Sequence, residues 1–403
     1  MLNFTYSAKN KDGKPVSGLV EAESESAAAR LLIAQGLAPL DIQVKEESRG
    51  LFARFSGRIS AKDKIIMTRQ LATLINAGLP LTQSLRTVAE QSSSKQLSLI
   101  LQQVVGSVEG GTTLAESMAK HPGVFDDVYV ALVAAGESSG TLDQALERLA
   151  NQQEKDAEMI SKIRGALIYP IIVLVVIIGV VVFLLTTVVP QIELIYKDFN
   201  KDLPFLTAIL IGVAKFIIHF WWLVLVGLIA GGFFLRKWFK TKSGQIVADN
   251  LKIKIPLFGD LFQKLYMARF CRTGETLMRT GVPMLEMLRI TSRAVDNMHV
   301  ESAISRSAEQ VKGGKPLSQA LLKEPTFLSL VPQMIKIGEQ SGSIDKMMDK
   351  AATYYENELD TKIKTISTVI EPVLMVFLAL VVGGIVLAIL VPVYGLVGAN
   401  LSV

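Results

Sequence analysis

Cysteine is almost missing from this chain: Cys271 is the single one among 403 residues. One thiol builds neither a disulfide framework nor a thiolate metal cluster, and it fits a reducing compartment. Histidine is nearly as scarce, with three copies, and no His/Glu/Asp spacing matches a metal site. Excess charge is small too. The 42 Lys and Arg against 37 Asp and Glu leave +5, with no basic run long enough to track a nucleic acid. The opening MLNFTYSAK lacks a basic stretch followed by an apolar one, so no signal peptide is read and a cytoplasmic start is expected. A phosphate-binding loop is absent as well, because Gly13-Lys14 and Gly314-Lys315 each run into proline where Ser or Thr is required. ATP hydrolysis by this chain is not expected.

What is abundant is apolar: 50% of the residues, against 20% charged, with mean hydropathy +0.39. That balance excludes disorder and points to globular units joined to a few membrane spans. Residues 171–189 and 373–391 carry no charge, and 216–235 carry only His219. At about 1.5 Å per residue each run reaches the roughly 30 Å of a hydrocarbon core, so three spans are expected. Arg236, Lys237, Lys240 and Lys242 crowd the end of the second run, and Lys162 and Arg164 precede the first. The 190–204 loop is mixed in charge, and nothing beyond the third run is charged. The positive-inside rule then puts the N-terminus and both large polar segments in the cytoplasm, and the loop and C-terminal tail outside.

Those polar segments repeat one another. RQLATLINAGLPL at 69–81 returns as RTGETLMRTGVPM at 272–284, and Gly110-Gly111 as Gly313-Gly314, at an offset of 203. GESSGTL at 136–142 returns as GEQSGSI at 338–344, at 202, so one residue is lost near Pro122/Pro325. The register continues into the spans, where Tyr169-Pro170 matches Glu371-Pro372. The copies have parallel orientation, unlike the inverted repeats of many transporters.

Within a copy the apolar period is helical. Helices are expected over 61–77, from Pro80 to about Glu90, over 95–108, 113–120 and 127–135, and from Thr141, where TLDQ reads as a capping box, to a bend at Pro170. The first 45 residues read as a ββαβ module with an Asp12-Gly13 turn. The fold class is therefore mainly α: an integral membrane protein with two homologous cytoplasmic six-helix bundles, three transmembrane helices and a small N-terminal module. The expected boundaries are an α+β module at 1–45, a linker at 46–60, and the first copy at 61–168. The first span covers 169–189, the outer loop 190–204, the second span 205–235 and a basic connector 236–262. The second copy covers 263–370, the third span 371–392 and the outer tail 393–403.

The motifs MTRQLATLINAGLPL, GESSGTLDQALERLA, ALIYP, IKIPLFGDL, GEQSGSID and VIEPVL stand in this order around the three runs. The chain so resembles, over nearly its whole length, the inner-membrane platform proteins of type II secretion systems and type IV pili (the GspF/PilC family). The resemblance implies a non-enzymatic scaffold in the bacterial inner membrane beneath a pilus or pseudopilus. It implies as partners a hexameric assembly ATPase on the cytoplasmic side, pilin or pseudopilin subunits, other inner-membrane assembly proteins and further copies of itself. It implies no cofactor.

Candidate residues follow from the repeat. Arg69 and Arg272 head the copies. Gly78 with Pro80, and Gly281 with Pro283, are expected to end one helix and start the next. Gly136-Glu137-Ser138-Ser139-Gly140 and its sister Gly338 to Gly342 read as polar loops between helices. Gly136-x-Ser138-x-Gly140 formally matches a nucleophile elbow, but it follows no strand and its sister has Gln340 in place of the serine, so no catalytic residue is assigned. Glu137 and Glu339 are expected either to favour the N-terminus of the following helix or to hold the face shown to the ATPase or a second protomer. Glu371, beside Pro372 at the mouth of the third span, is an ionisable group near lipid and a partner candidate. The rival class, a small transporter or channel component, is weakened by spans almost devoid of polar residues.

Overall fold

A computed structural model describes residues 2–9, 15–22, 25–34, 36–44, 59–191, 194, 205–239, 241–256 and 258–400. The contacts divide the chain into two units, Met1–Ser60 and Ala61–Val403.

In the first unit, strands β1 (Leu2–Lys9), β2 (Pro15–Ala22) and β3 (Ala38–Val44) form an antiparallel sheet in the order β2-β1-β3, with helix α1 (Glu25–Ala34) between β2 and β3. Tyr6 pairs with Gly18, and its hydroxyl lies 2.8 Å from where a Cβ on Gly18 would stand. Leu32 of α1 and Ala8 of β1 are fully buried. The expected Asp12-Gly13 turn and nearly all of the 46–60 linker lie outside the described residues.

The second unit begins with α2 (Ala61–Asn76), α3 (Leu81–Gln91), α4 (Lys95–Glu109), α5 (Leu114–Ala119), α6 (Asp127–Ser139) and α7 (Leu142–Phe183). After α8 (Phe205–Trp238) and α9 (Lys242–Lys254) the pattern returns as α10 (Gly259–Arg279), α11 (Met284–Ala294), α12 (Met298–Lys312), α13 (Leu317–Leu322), α14 (Leu330–Ser341) and α15 (Ile344–Asn400). The core is built from the apolar stripes of these helices: Leu71, Leu85, Leu101, Leu114, Leu132 and Leu146 are wholly buried in the first half, and Phe270, Leu288, Ile304 and Leu321 in the second.

Several expectations change. Residues 136–139 and 338–341 are the last turns of α6 and α14 rather than loops, and only Gly140 and Gly342 leave the helix, in the left-handed conformation. The capping box at Thr141 is not made: its φ of −113° and ψ of 40° are not those of a capping residue, and its hydroxyl turns to Ser139 at 2.7 Å. Pro170 lies inside α7, which runs on through a π-helical turn at Leu184–Val188. Pro372 likewise lies inside the unbroken α15.

Two helices, α7 with its continuation and α15, are long and apolar enough to cross a membrane. The expected second span is interrupted by a break. Phe220 (φ −114°, ψ 22°) interrupts α8, whose arms Ile211–Phe220 and Leu225–Trp238 meet at 73°. At about 1.5 Å per residue neither arm alone reaches a bilayer's thickness, so α8 can supply a third crossing only as a bent pair. Leu185 and Val189 at the end of α7 pack with Ile211 and Ala214 of α8.

The halves are joined. Lys155 Nζ lies 3.6 Å from Glu356, and Lys162 Nζ is 2.8 Å from Asp360. Both pairs advance in the same direction along the chain, so α7 and α15 run side by side and parallel. Gln152 Nε2 also donates to Thr273 Oγ1 at 2.9 Å in a buried contact between α7 and α10.

Candidate functional site

Arg69, on α2, forks onto α7. Its Nε and Nη2 donate to the two oxygens of Glu154 at 2.7 and 2.6 Å, Nη1 to Glu147 at 2.7 Å, and Nη2 also to Asn151 at 2.5 Å. Spacings of four and three residues put these acceptors on one helix face, which a planar guanidinium reads with several bonds at once. Arg272, on α10, repeats the arrangement on α15. It bonds Glu356 twice, at 2.9 and 3.0 Å, Asp349 at 2.5 Å and Thr353 at 3.2 Å. The Arg69 hydrogen bonds hold the Glu154 carboxyl below its ordinary pKa. Arg272 is buried, and its carboxylate partners hold its pKa above the usual value despite that burial. In each half the clamp fastens the first helix to the helix that continues into the apolar run.

Glu137 and Glu339 have defined duties. Glu137 accepts from the N–H groups of Leu114 (2.8 Å) and Ala115 (3.1 Å), at the open end of α5. Glu339 accepts from the Ser318 N–H at 3.1 Å and the Ser318 hydroxyl at 2.5 Å, at the open end of α13. Each carboxylate satisfies the orphan donors of a six-residue helix more than twenty positions upstream. The cap is therefore real, but on an earlier helix than the expected one.

The glycines divide by role. Gly78, Gly281, Gly140 and Gly342 have φ of 84°, 85°, 71° and 65°, a region that side chains resist. Leu79 N–H then closes on Leu74 O at 3.1 Å and Val282 N–H on Leu277 O at 3.0 Å, and Pro80 and Pro283 open the next helices. Gly136 and Gly338 are needed for close approach instead. A Cβ on Gly136 would stand 2.5 Å from that of Ala145, and one on Gly338 would stand 2.7 Å from the Ile344 Cα.

Other candidates carry little chemistry. The Ser138 hydroxyl donates to Ala135 O at 3.1 Å in its own helix. Cys271 is fully buried, and burial pushes its thiol pKa up. Glu371 and Pro372 are exposed on α15, and among the described residues nothing pairs with Glu371. Among the described residues no three His, Cys, Asp or Glu gather as for a metal ion.

Sequence reasoning missed one feature. A polar cavity of about 400 Å³ lies between the halves, lined by Gln152, Gln153 and Asp156 of α7, Arg269 of α10, and Arg293, which is 2.6 Å from Asp127. Gln152 Oε1, Gln153 Oε1 and Arg269 Nε are buried without a protein partner, and burial raises the Asp156 pKa against the opposing pull of Arg269. A site this polar has room for water to partner these atoms. Its residues come from different positions of the two copies, so the repeat gave no sign of it.

Comparison with known proteins gives a family. Residues 67–190 and 270–392 each match "Type II secretion system (T2SS), protein F", and residues 1–43 match its N-terminal domain. The chain is 39% identical to the type IV pilus assembly protein PilC of Thermus thermophilus, over 98% of both chains. It is 35% identical to the type IV pilus assembly protein TapC of Aeromonas hydrophila, covering 98% of this chain and 95% of the relative. It is also 35% identical to type II secretion system protein F of Pseudomonas aeruginosa, covering 98% and 99%. With the domain matched twice at the repeat already read from its residues, this chain belongs to the type II secretion protein F family, which includes the platform proteins of type IV pili.

Proposed function

We propose that the chain is a non-enzymatic platform in a bacterial inner membrane, serving a type IV pilus or a type II secretion pseudopilus. In this reading it couples a hexameric cytoplasmic ATPase to the insertion of pilin subunits into the filament, together with other inner-membrane assembly proteins and further copies of itself. Residues 61–168 and 263–370 act as two six-helix cytoplasmic bundles, and the 1–45 module lies on the same side.

The observation that carries the reading is the pair of parallel helices α7 and α15, each clamped by its arginine to its own half. A force applied to either half reaches the membrane along a continuous helix rather than across a flexible joint. The parallel course also requires the chain to return between them, which supports α8 as a crossing despite its break. The N-terminus is then cytoplasmic and the C-terminal tail outside.

The test is complementation. A strain lacking its platform protein, supplied with this chain, should recover filaments, and the purified chain should bind the cognate assembly ATPase. Solute flux in liposomes without ATPase binding would favour the channel reading instead.

A further inference from the structure

α13 and α14 enclose a groove of about 780 Å³ on the second half. Met284, Val311, Leu322 and Pro332 make its lining largely apolar, and Leu322 is 68% exposed. Lys315 and Lys336 line it as well, and both are exposed. Lys315 reaches only Gln310 Oε1, at 3.5 Å, and among the described residues Lys336 meets no carboxylate. Glu339, the acid at the groove, is already bound to Ser318.

The repeat shows that folding does not need this chemistry. At the corresponding places the first half has Thr112 and Ala134 for the two lysines, Ala119 for Leu322, Glu109 for Lys312 and Glu116 for Gln319. It builds the same helices with two acids where the second half has one base and one neutral group. The sign of the surface is reversed and its apolar side chain enlarged in one copy only.

We propose that this groove docks a helix of a cytoplasmic protein that presents apolar residues flanked by carboxylates. The volume lies in the range of sites that seat a few anchoring side chains, and the two lysines, which meet no carboxylate among the described residues, complement an acidic flank. A lipid surface does not fit. The groove lies at the start of α15, and the apolar run from Val373 begins about 40 Å further along that helix at 1.5 Å per residue.

The proposal rests on the platform reading for its biological setting, and the test separates the two. A photo-crosslinking benzoylphenylalanine replaces Leu322 in the full chain, in cells that assemble filaments. The expected adduct joins Leu322 to an acidic, apolar-faced helix of a cytoplasmic protein. Its yield should fall about tenfold in Lys315→Glu/Lys336→Glu. It should fall likewise in Lys315→Thr/Lys336→Ala, which carries the residues the first half folds with, and should return when the contacted carboxylates become lysines. Adducts to lipid, to a second copy or within the chain, no adduct, or a yield indifferent to both double variants would overturn the proposal. Filament recovery by the unmutated chain is scored separately. Its failure alongside a charge-dependent adduct removes the platform reading and leaves the groove assignment standing.

Discussion

At the scale of single residues, the acids make testable commitments. Glu137 holds two backbone donors of α5, so Glu137→Gln should cost about 1 kcal/mol, the ordinary loss of a helix cap. Glu137→Lys should cost more, because it puts a cation at the positive end of α5. Thermal unfolding of the detergent-solubilised chain measures both, and unchanged melting would show that water replaces the cap without loss. Arg69 and Glu154 give a pH dependence. The Glu154 pKa is depressed in the folded chain, so the clamp's contribution is complete above the ordinary carboxylate value and is lost as pH falls through the depressed one. Stability of the wild type should therefore decline as pH falls below the ordinary carboxylate range, and Arg69→Gln should flatten that part of the decline. A slope identical in the two proteins would mean that other carboxylates dominate the window.

At the scale of elements, the two kinds of glycine should behave differently. Gly78→Ala meets nothing within 4 Å and suffers only from its φ of 84°, a cost of about 1 kcal/mol. Gly136→Ala drives its methyl against Ala145 and the backbone of Leu142, where relief requires α6 and α7 to separate, at about 1–3 kcal/mol. Melting of the two variants side by side checks the order, and equal losses would deny the close helix contact. The sequence displayed the first kind of glycine openly, since Gly-x-Pro repeated at one offset is a local stop-and-start signal. It hid the second, because the residue that needs Gly136 to be small lies on the following helix. The clamps were half legible. Arg69 and Arg272 stood out by repetition, whereas their acceptors lie 77 to 85 positions away. The matched spacing of Glu147, Asn151 and Glu154 with Asp349, Thr353 and Glu356 was the available signal. The break at Phe220 left no trace in composition: an apolar run reports that a segment prefers lipid, not that its helix is continuous.

At the scale of the whole molecule, the decisive constraint is that α7 and α15 are parallel and packed along their polar stretches. A chain leaving along α7 must come back before α10 begins, because α10 packs with α7 through the buried Gln152–Thr273 bond. Among the described residues between them, α8 is the element apolar enough to make the return, and its arms lie end to end with a bend at Phe220. In the proposed orientation Arg236 and Lys237, in the last turn of α8, face the cytoplasm, as the positive-inside rule expects. A reporter joined at Asn200 should then read extracytoplasmic, and one at Ser243 cytoplasmic. If α8 instead entered and left on one face, both positions would read alike, and α10 would be carried to the side of the membrane opposite α2. The Arg69 and Arg272 clamps could then still form, each within its own half, but Gln152–Thr273, Lys155–Glu356 and Lys162–Asp360 could not. Extracytoplasmic signal at Ser243 would thus remove the paired-helix arrangement together with the three-crossing topology.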